Sequence, residues 1–300
     1  MRNAFAVTAS LHVLLLAACA EINPATVADD DQSGGDEGDG DDGGGPSPTG
    51  VGPDAGAPVE EEVCDYSGES TGARRVRVLY MVPSDRDEDP VYTANLEQAA
   101  RHAQQWMRSR LGGTHFTLTD DVVTVAKTTH AASWYATNAS GDDPNLYFWN
   151  NVLADAQPLG VALDDPDDVW LVYVQADPAC NQVNYGTRHV AVFPENDLRG
   201  LASRARIPPC GGATDGYGRC RWVGGMTLLM AFAMGLPTQA GCNDADNATP
   251  CDDAGLTRYG YVSYPSANLT TEQLDYLSNH EFLQGTGVPA CDLQCATAVD

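Results

Sequence analysis

Residues 169–175 read Val-Trp-Leu-Val-Tyr-Val-Gln, a near-continuous apolar run. A strand wetted on one side alternates apolar with polar residues, so a run without alternation reads as a strand at the centre of a sheet. The other elements are read around it. Arg74 to Val82 (RRVRVLYMV) alternates and then turns apolar, as a strand entering a core does. After Pro90, the residues Leu96, Ala99, Ala100, Ala103, Trp106 and Met107 recur at helical spacing in Tyr92 to Leu111, and Gly112-Gly113 ends the run. Phe116 to Val125 reads as a second strand and Val190 to Phe193 as a short one. Asp143-Pro144 is a helix start for Asn145 to Ala156, and Thr270 with Gln273 is spaced as a capping box for a helix over Thr271 to Asn279. The stretch GGMTLLMAFAMG at 224–235 is a further, wholly apolar helix. This order predicts an α+β (α/β-like) single domain with a partly parallel, mixed sheet.

The N-terminal part is different. Arg2 gives a short basic start, Ala4 to Leu16 an apolar run, and Leu16-Ala17-Ala18-Cys19 a small-residue cleavage site. The apolar run falls short of the ~20 residues that a membrane-spanning helix needs. Between residues 21 and 62 lie thirteen acids and no bases, with Gly and Pro filling the spaces. Such a chain repels itself and has nothing to bury, so it reads as a solvated tether. The predicted organisation is a signal over 1–18, a tether over 19–63 and a folded domain over 64–300. The formal charge of −26 makes nucleic acid an unfavourable partner.

Nine cysteines, less Cys19, leave an even eight, which points to disulfides in an oxidising compartment. Cys210 with Cys220 and Cys242 with Cys251 each enclose a short Gly/Asp/Pro-rich loop and are the preferred pairs. Cys64 with Cys295 is a candidate clasp between the domain ends. No C-x-x-C pair supports a metal reading of these cysteines. The oxygens of Asn243-Asp244-Ala245-Asp246-Asn247 leave a calcium site open, with a plain polar loop as the alternative.

Several segments together resemble secreted bacterial zincin-type (metzincin-like) metalloproteases. They are RVLYMVPSDR at 77–86, WYATN at 134–138, DDPDDVWLVYVQADP at 164–178, RWVGG at 221–225 and GLPTQAGC at 235–242. Leu16 to Cys19 resembles the lipobox of bacterial lipoproteins, which implies a mature chain lipidated at Cys19. Ala20 after it favours the outer membrane or the cell surface. In the protease family RWVGG leads into H-E-x-x-H-x-x-G-x-x-H, where three His hold zinc and the Glu activates a water. Laid on Gly235, that frame puts Leu228, Phe232 and Thr238 at the ligands and Leu229 at the general base. The Met-turn that underlies zinc in such proteins is matched by Gly255 to Tyr261, with Thr257 at the Met position. Leu and Phe have no lone pair for zinc, and Leu229 takes no proton.

The resemblance therefore implies a zincin-like fold with a degenerate site, and no zinc is expected. Leu228, Leu229, Met230, Phe232 and Met234 are expected to pack as core, at roughly 1.5–3 kcal/mol for each one fully buried. The expected function is a membrane-anchored binding or structural lipoprotein, with an unknown protein, peptide or glycan ligand. Two alternatives stay open: an active metallopeptidase with other ligands, and a surface binding lipoprotein of unrelated origin. Trp134, Tyr135, Tyr147, Trp149, Tyr259, Tyr261 and Tyr264 are candidates to line a groove. His102, His115, His130, His189 and His280 make no metal-ligand spacing, and Ser133 and Ser140 lie in no G-x-S-x-G elbow.

Overall fold

The computed structural model describes residues 74–180, 182, 185–204, 218–238, 252, 254–285 and 295. The signal, Cys19, the tether, the Asn243–Asn247 loop and Cys64, Cys210, Cys242, Cys251 and Cys291 lie outside them.

The apolar run at 169–175 is a strand, β3 (Asp168–Val174), and every residue of it is buried. It stands third in a five-stranded sheet of order β2-β1-β3-β5-β4. β1 (Arg75–Val82) pairs in parallel with β2 (Thr117–Lys127) and with β3. β3 pairs in parallel with β5 (Val190–Phe193), and the three-residue β4 (Tyr185–Thr187) runs antiparallel to β5 at the edge. The sheet is thus mixed, and the α+β class holds.

Alternate side chains of a strand point to opposite faces, and here both faces are covered. Val78, Tyr80, Leu171, Tyr173 and Phe193 belong to one apolar cluster, with α1 (Pro90–Arg110), α4 (Glu195–Leu201), α5 (Arg219–Ala233) and α6 (Thr271–Ser278). Leu79, Met81, Trp170, Val172 and Val192 belong to the other, with α2 (Ala132–Thr137) and α3 (Tyr147–Ala156). Double coverage explains why β3 has no polar alternation.

Helix starts follow local chemistry. The Asp89 carboxylate accepts from Val91 N at 3.0 Å and Pro90 occupies the first turn of α1. Asp143 accepts from Asn145 N at 2.9 Å, opening a 3-10 turn over Pro144–Leu146 that runs into α3. The capping box at Thr270 and Gln273 is present in both directions.

The disulfide pairing is corrected. Cys220 is bonded to Cys295, 75 residues away, and neither to Cys210 nor through a Cys64–Cys295 clasp. The C-terminal stretch returns to the first turn of α5, so the partner is set by the fold and not by the shortest loop. Cys180 is also disulfide-bonded.

Candidate functional site on α5

From Trp222 to Ala233, α5 carries no charged side chain, and it packs against α1, α4, β3, β4 and β5. A helix apolar all round has no solvent face of its own, so its neighbours decide which side is open. Leu228, Met230 and Met234 are buried, as expected for core. Leu229 and Phe232 depart from that expectation: both are only half-buried. For Leu229 the physical reason is the short edge strand. The side of α5 at Leu229 faces β4 at Gly186, where an added Cβ would stand 3.6 Å from the Leu229 side chain. A glycine in a three-residue strand has nothing to cover that leucine with.

The turn after α5 is made by a glycine. Gly235 has φ +85°, a left-handed conformation that favours glycine, and a Cβ there would meet Tyr276 Oη at 2.7 Å. The chain then runs through Leu236 and Pro237 to the exposed Thr238. Thr257 lies in a π-helical turn over Leu256–Gly260. One buried amide ties the two segments together: Gln273 Nε2 donates to Pro237 O at 3.1 Å and to Thr257 Oγ1 at 2.8 Å. The segments at Pro237 and Thr257, separated in sequence, therefore meet on α6.

The side chains at these positions do not fit zinc. Leu228 and Phe232 offer no donor atom, Thr238 offers a single hydroxyl, and Leu229 has no proton-accepting group. Among the described residues, no group of three or more His, Cys, Asp or Glu is placed to hold a metal ion.

Other candidates are dispersed. Trp134, Tyr135 and Trp149 belong with the α2–α3 cluster, whereas Tyr261 and Tyr264 are buried with α5 on the opposite face. They do not line one groove, because the sheet separates them. Tyr147 is half-buried and Tyr259 is 49% exposed. His102 Nδ1 is 2.8 Å from Tyr264 Oη, and His115 is fully buried beside the Gly285 bridge. His130 donates from Nδ1 to Asp155 at 2.8 Å and stacks on Trp134 at 3.7 Å. Ser140 Oγ donates to Tyr147 O, and Ser133 is exposed.

Arg219 has a structural part that its sequence position did not signal. Its guanidinium is buried and, among the described residues, donates to three carbonyls: Leu201 O at 2.6 Å, Cys295 O at 2.9 Å and Asn95 O at 3.4 Å. Burial lowers its pKa to about 10. By contrast, Arg199 pairs with Asp177 at 2.7 Å and Glu195 at 2.9 Å. The Arg219 charge fastens α1, α4 and the C-terminal Cys295 to the start of α5, next to the disulfide.

No protein-family model matches the sequence, and no curated protein matches it. Among solved structures, wild-type OgpA from Akkermansia muciniphila is similar, at 15% identity and a TM-score of 0.48, over 72% of this chain and 63% of that one. Catalytically inactive OgpA in complex with an O-glycopeptide (glycodrosocin) substrate is similar at 15% identity and a TM-score of 0.47, over 72% and 62%. Archaemetzincin from Methanopyrus kandleri follows, with 15% identity and a TM-score of 0.36, over 69% and 94%. This chain thus spans less than two thirds of the OgpA structures. Likenesses of this size carry nothing about chemistry.

Proposed function

We propose that this protein is an extracytoplasmic lipoprotein, anchored through Cys19, whose folded domain keeps a zincin-like frame without the zinc machinery and serves in binding or as a structural component. One observation carries the reading. Gly235 turns the chain and Gln273 joins Pro237 to Thr257, which supports such a frame, while the positions matched to its ligands hold Leu228, Phe232 and Thr238. A frame preserved around apolar side chains fits a domain held by packing and disulfides. The half-buried Leu229, beside β4, and Phe232, one turn on, offer an apolar contact for a protein or peptide.

The test is zinc content of the full chain, purified from an oxidising compartment without chelator, together with peptide hydrolysis with and without chelator. We expect near-zero zinc and no chelator-sensitive hydrolysis. About one zinc per chain, or hydrolysis that a chelator abolishes, overturns the reading in favour of a metallopeptidase with other ligands. Restoring the frame with Leu228→His, Leu229→Glu, Phe232→His and Thr238→His is expected to create zinc binding; failure to do so counts against the frame. Mass spectrometry of the mature N-terminus tests the anchor, with an unmodified Cys19 as the outcome that removes it.

A further inference from the structure

A sheet that does not close on itself has two edges, where main-chain N–H and C=O groups lack a ladder partner. Here the edge strands are β4, three residues long, and β2. Between Leu118 and Val123, β2 spends four residues where β1 spends one, Arg77, so the strand bulges there. Thr119 Oγ1 donates to Asp121 O at 2.9 Å within the bulge. Beyond it the pairing is regular, Val123 to Lys127 lying in order against Val78 to Val82.

The outward groups of this stretch follow from its bonds. Thr128 N donates to Val82 O at 2.8 Å, while Met81 O accepts from Gln175 N on the β3 side. In a parallel ladder alternate residues turn both main-chain groups to the same side. Thr124 and Ala126 therefore face β1, and Val123, Val125 and Lys127 turn their N–H and C=O groups away from the sheet. Among the described residues, no strand pairs with that edge. The stretch has no proline to guard it, and its lysine, Lys127, is drawn aside to donate from Nζ to Arg86 O.

The side chains beside the edge select what it takes. Val123 and Val125 are partly buried against the α1 face of the sheet, and Ala126 against the other. A groove of about 380 Å³ between α1 and β2 is lined by Thr93, Glu97, Asp120 and Asp121 together with these valines, and by no lysine or arginine. Asp120 and Asp121 are exposed and, among the described residues, neither carboxylate is in an ion pair or a hydrogen bond. Glu97 shares its charge with Arg101 at 2.9 Å. A strand added to β2 alternates its side chains in step with it, so every second one lies on the α1 side, over the groove. The chain's own tether is a poor occupant, since its thirteen acids and no bases between residues 21 and 62 would meet like charge.

We propose that the outer edge of β2 captures an extended peptide with basic side chains, which adds to the sheet as a further strand and sets its cations against Asp120, Asp121 and Glu97. Main-chain pairing supplies the hold and the carboxylates supply the choice of partner. The site rests on β2 and α1 alone, so it stands whether or not the domain binds zinc, and it is separate from the apolar contact at Leu229.

The test uses the full chain and the peptide acetyl-Lys-Val-Lys-Thr-Lys-Val-amide, with calorimetry for affinity and NMR for position. Binding is expected, with the amides of Val123, Val125 and Lys127 gaining protection from hydrogen exchange. The same peptide with Glu for each Lys should bind at least about tenfold more weakly. Asp120→Asn combined with Asp121→Asn should weaken the basic peptide by about as much, roughly tenfold, and flatten its salt dependence. Methylating every second amide of the peptide blocks pairing in one phase only, so one set of methyls should abolish binding and the other leave it. Val125→Pro removes an outward N–H without breaking a bond to β1 and should abolish binding too. Where that variant fails to fold, the two methylated peptides decide. No binding, binding that leaves residues 123–127 unchanged, equal effects of the two methylation phases, or full affinity in the Asn variant overturns the proposal. So does protection of the three outward amides in the free chain, which would show the edge already filled by the chain itself or, where it grows with concentration, by a second copy.

Discussion

α1 and α5 cover the same face of the sheet, yet they are specified differently. α1 carries its instructions locally: a carboxylate cap at Asp89, proline in the first turn, an Arg101–Glu97 pair one turn apart and basic residues in the last turn. α5 starts at Gly218 without a side-chain cap, and its first turn contains a buried arginine. Its hold comes from outside: the carbonyls around Arg219, the Cys220–Cys295 disulfide, and the close approach of Gly224 to Tyr261. A helix specified from outside tolerates change only where its surroundings leave space, and that separates its positions sharply.

The largest expected effect tests the closed side of α5. Leu228→Ala is expected to lower stability by about 3 kcal/mol, by lost transfer energy and the cavity left behind. Leu229→Ala, on the half-open side, should lower it by about half as much. Thermal unfolding of the two variants side by side measures the contrast. Equal losses would mean that the β4 side is as tightly filled as the core, and would remove the apolar contact surface from the functional reading.

Next in size is Gly224→Ala. A Cβ there would stand 2.2 Å from Tyr261 O and 2.7 Å from Tyr264 Cβ, so main chain must move. A loss of about 2 kcal/mol is expected from this overpacking, opposite in sign to the usual effect of replacing a helical glycine by alanine. In α1, Asp89→Ala should cost about 1 kcal/mol through the lost cap. It should appear as a lower urea midpoint at unchanged slope. Its exposed pair with Arg204 adds little, because solvent screens it. An Asp89→Ala loss as large as that of Gly224→Ala would break the distinction between local and external specification.

The same distinction governs what could be read from the chain. β3 and α6 were legible because each carries its signal within a few residues, as an unbroken apolar run and as a capping box. α2, β4 and α4 were not: at six, three and seven residues they are too short to show a period. The apolar character of α5 was plain, but its open side was not, because a helix without a polar stripe gives no orientation and the position of β4 sets it. Nothing in the sequence marks Arg219, since its three carbonyl partners lie on other segments. His280 looked isolated because His189, which shares the Phe282 ring as a neighbour with it, lies 91 residues earlier in the chain.

Gly225 provides the smallest and most exacting test, because it adjoins Gly224 and differs only in what surrounds it. A Cβ at Gly225 would meet nothing closer than the Arg221 side chain, at 3.8 Å, and the residue has an ordinary helical conformation. Gly225→Ala should therefore stabilise the protein by about 0.5–1 kcal/mol, through the lower entropy of the unfolded chain. Two adjacent glycines in one helix would then respond to the same substitution with opposite signs. Calorimetry on both variants reads this directly. A loss at Gly225 as well would mean that the Arg221 side chain, stacked over Trp222 at 4.0 Å, cannot shift to admit a methyl group. α5 would then be enclosed on that side too, leaving Leu229 beside β4 and the half-buried Phe232 as its open part.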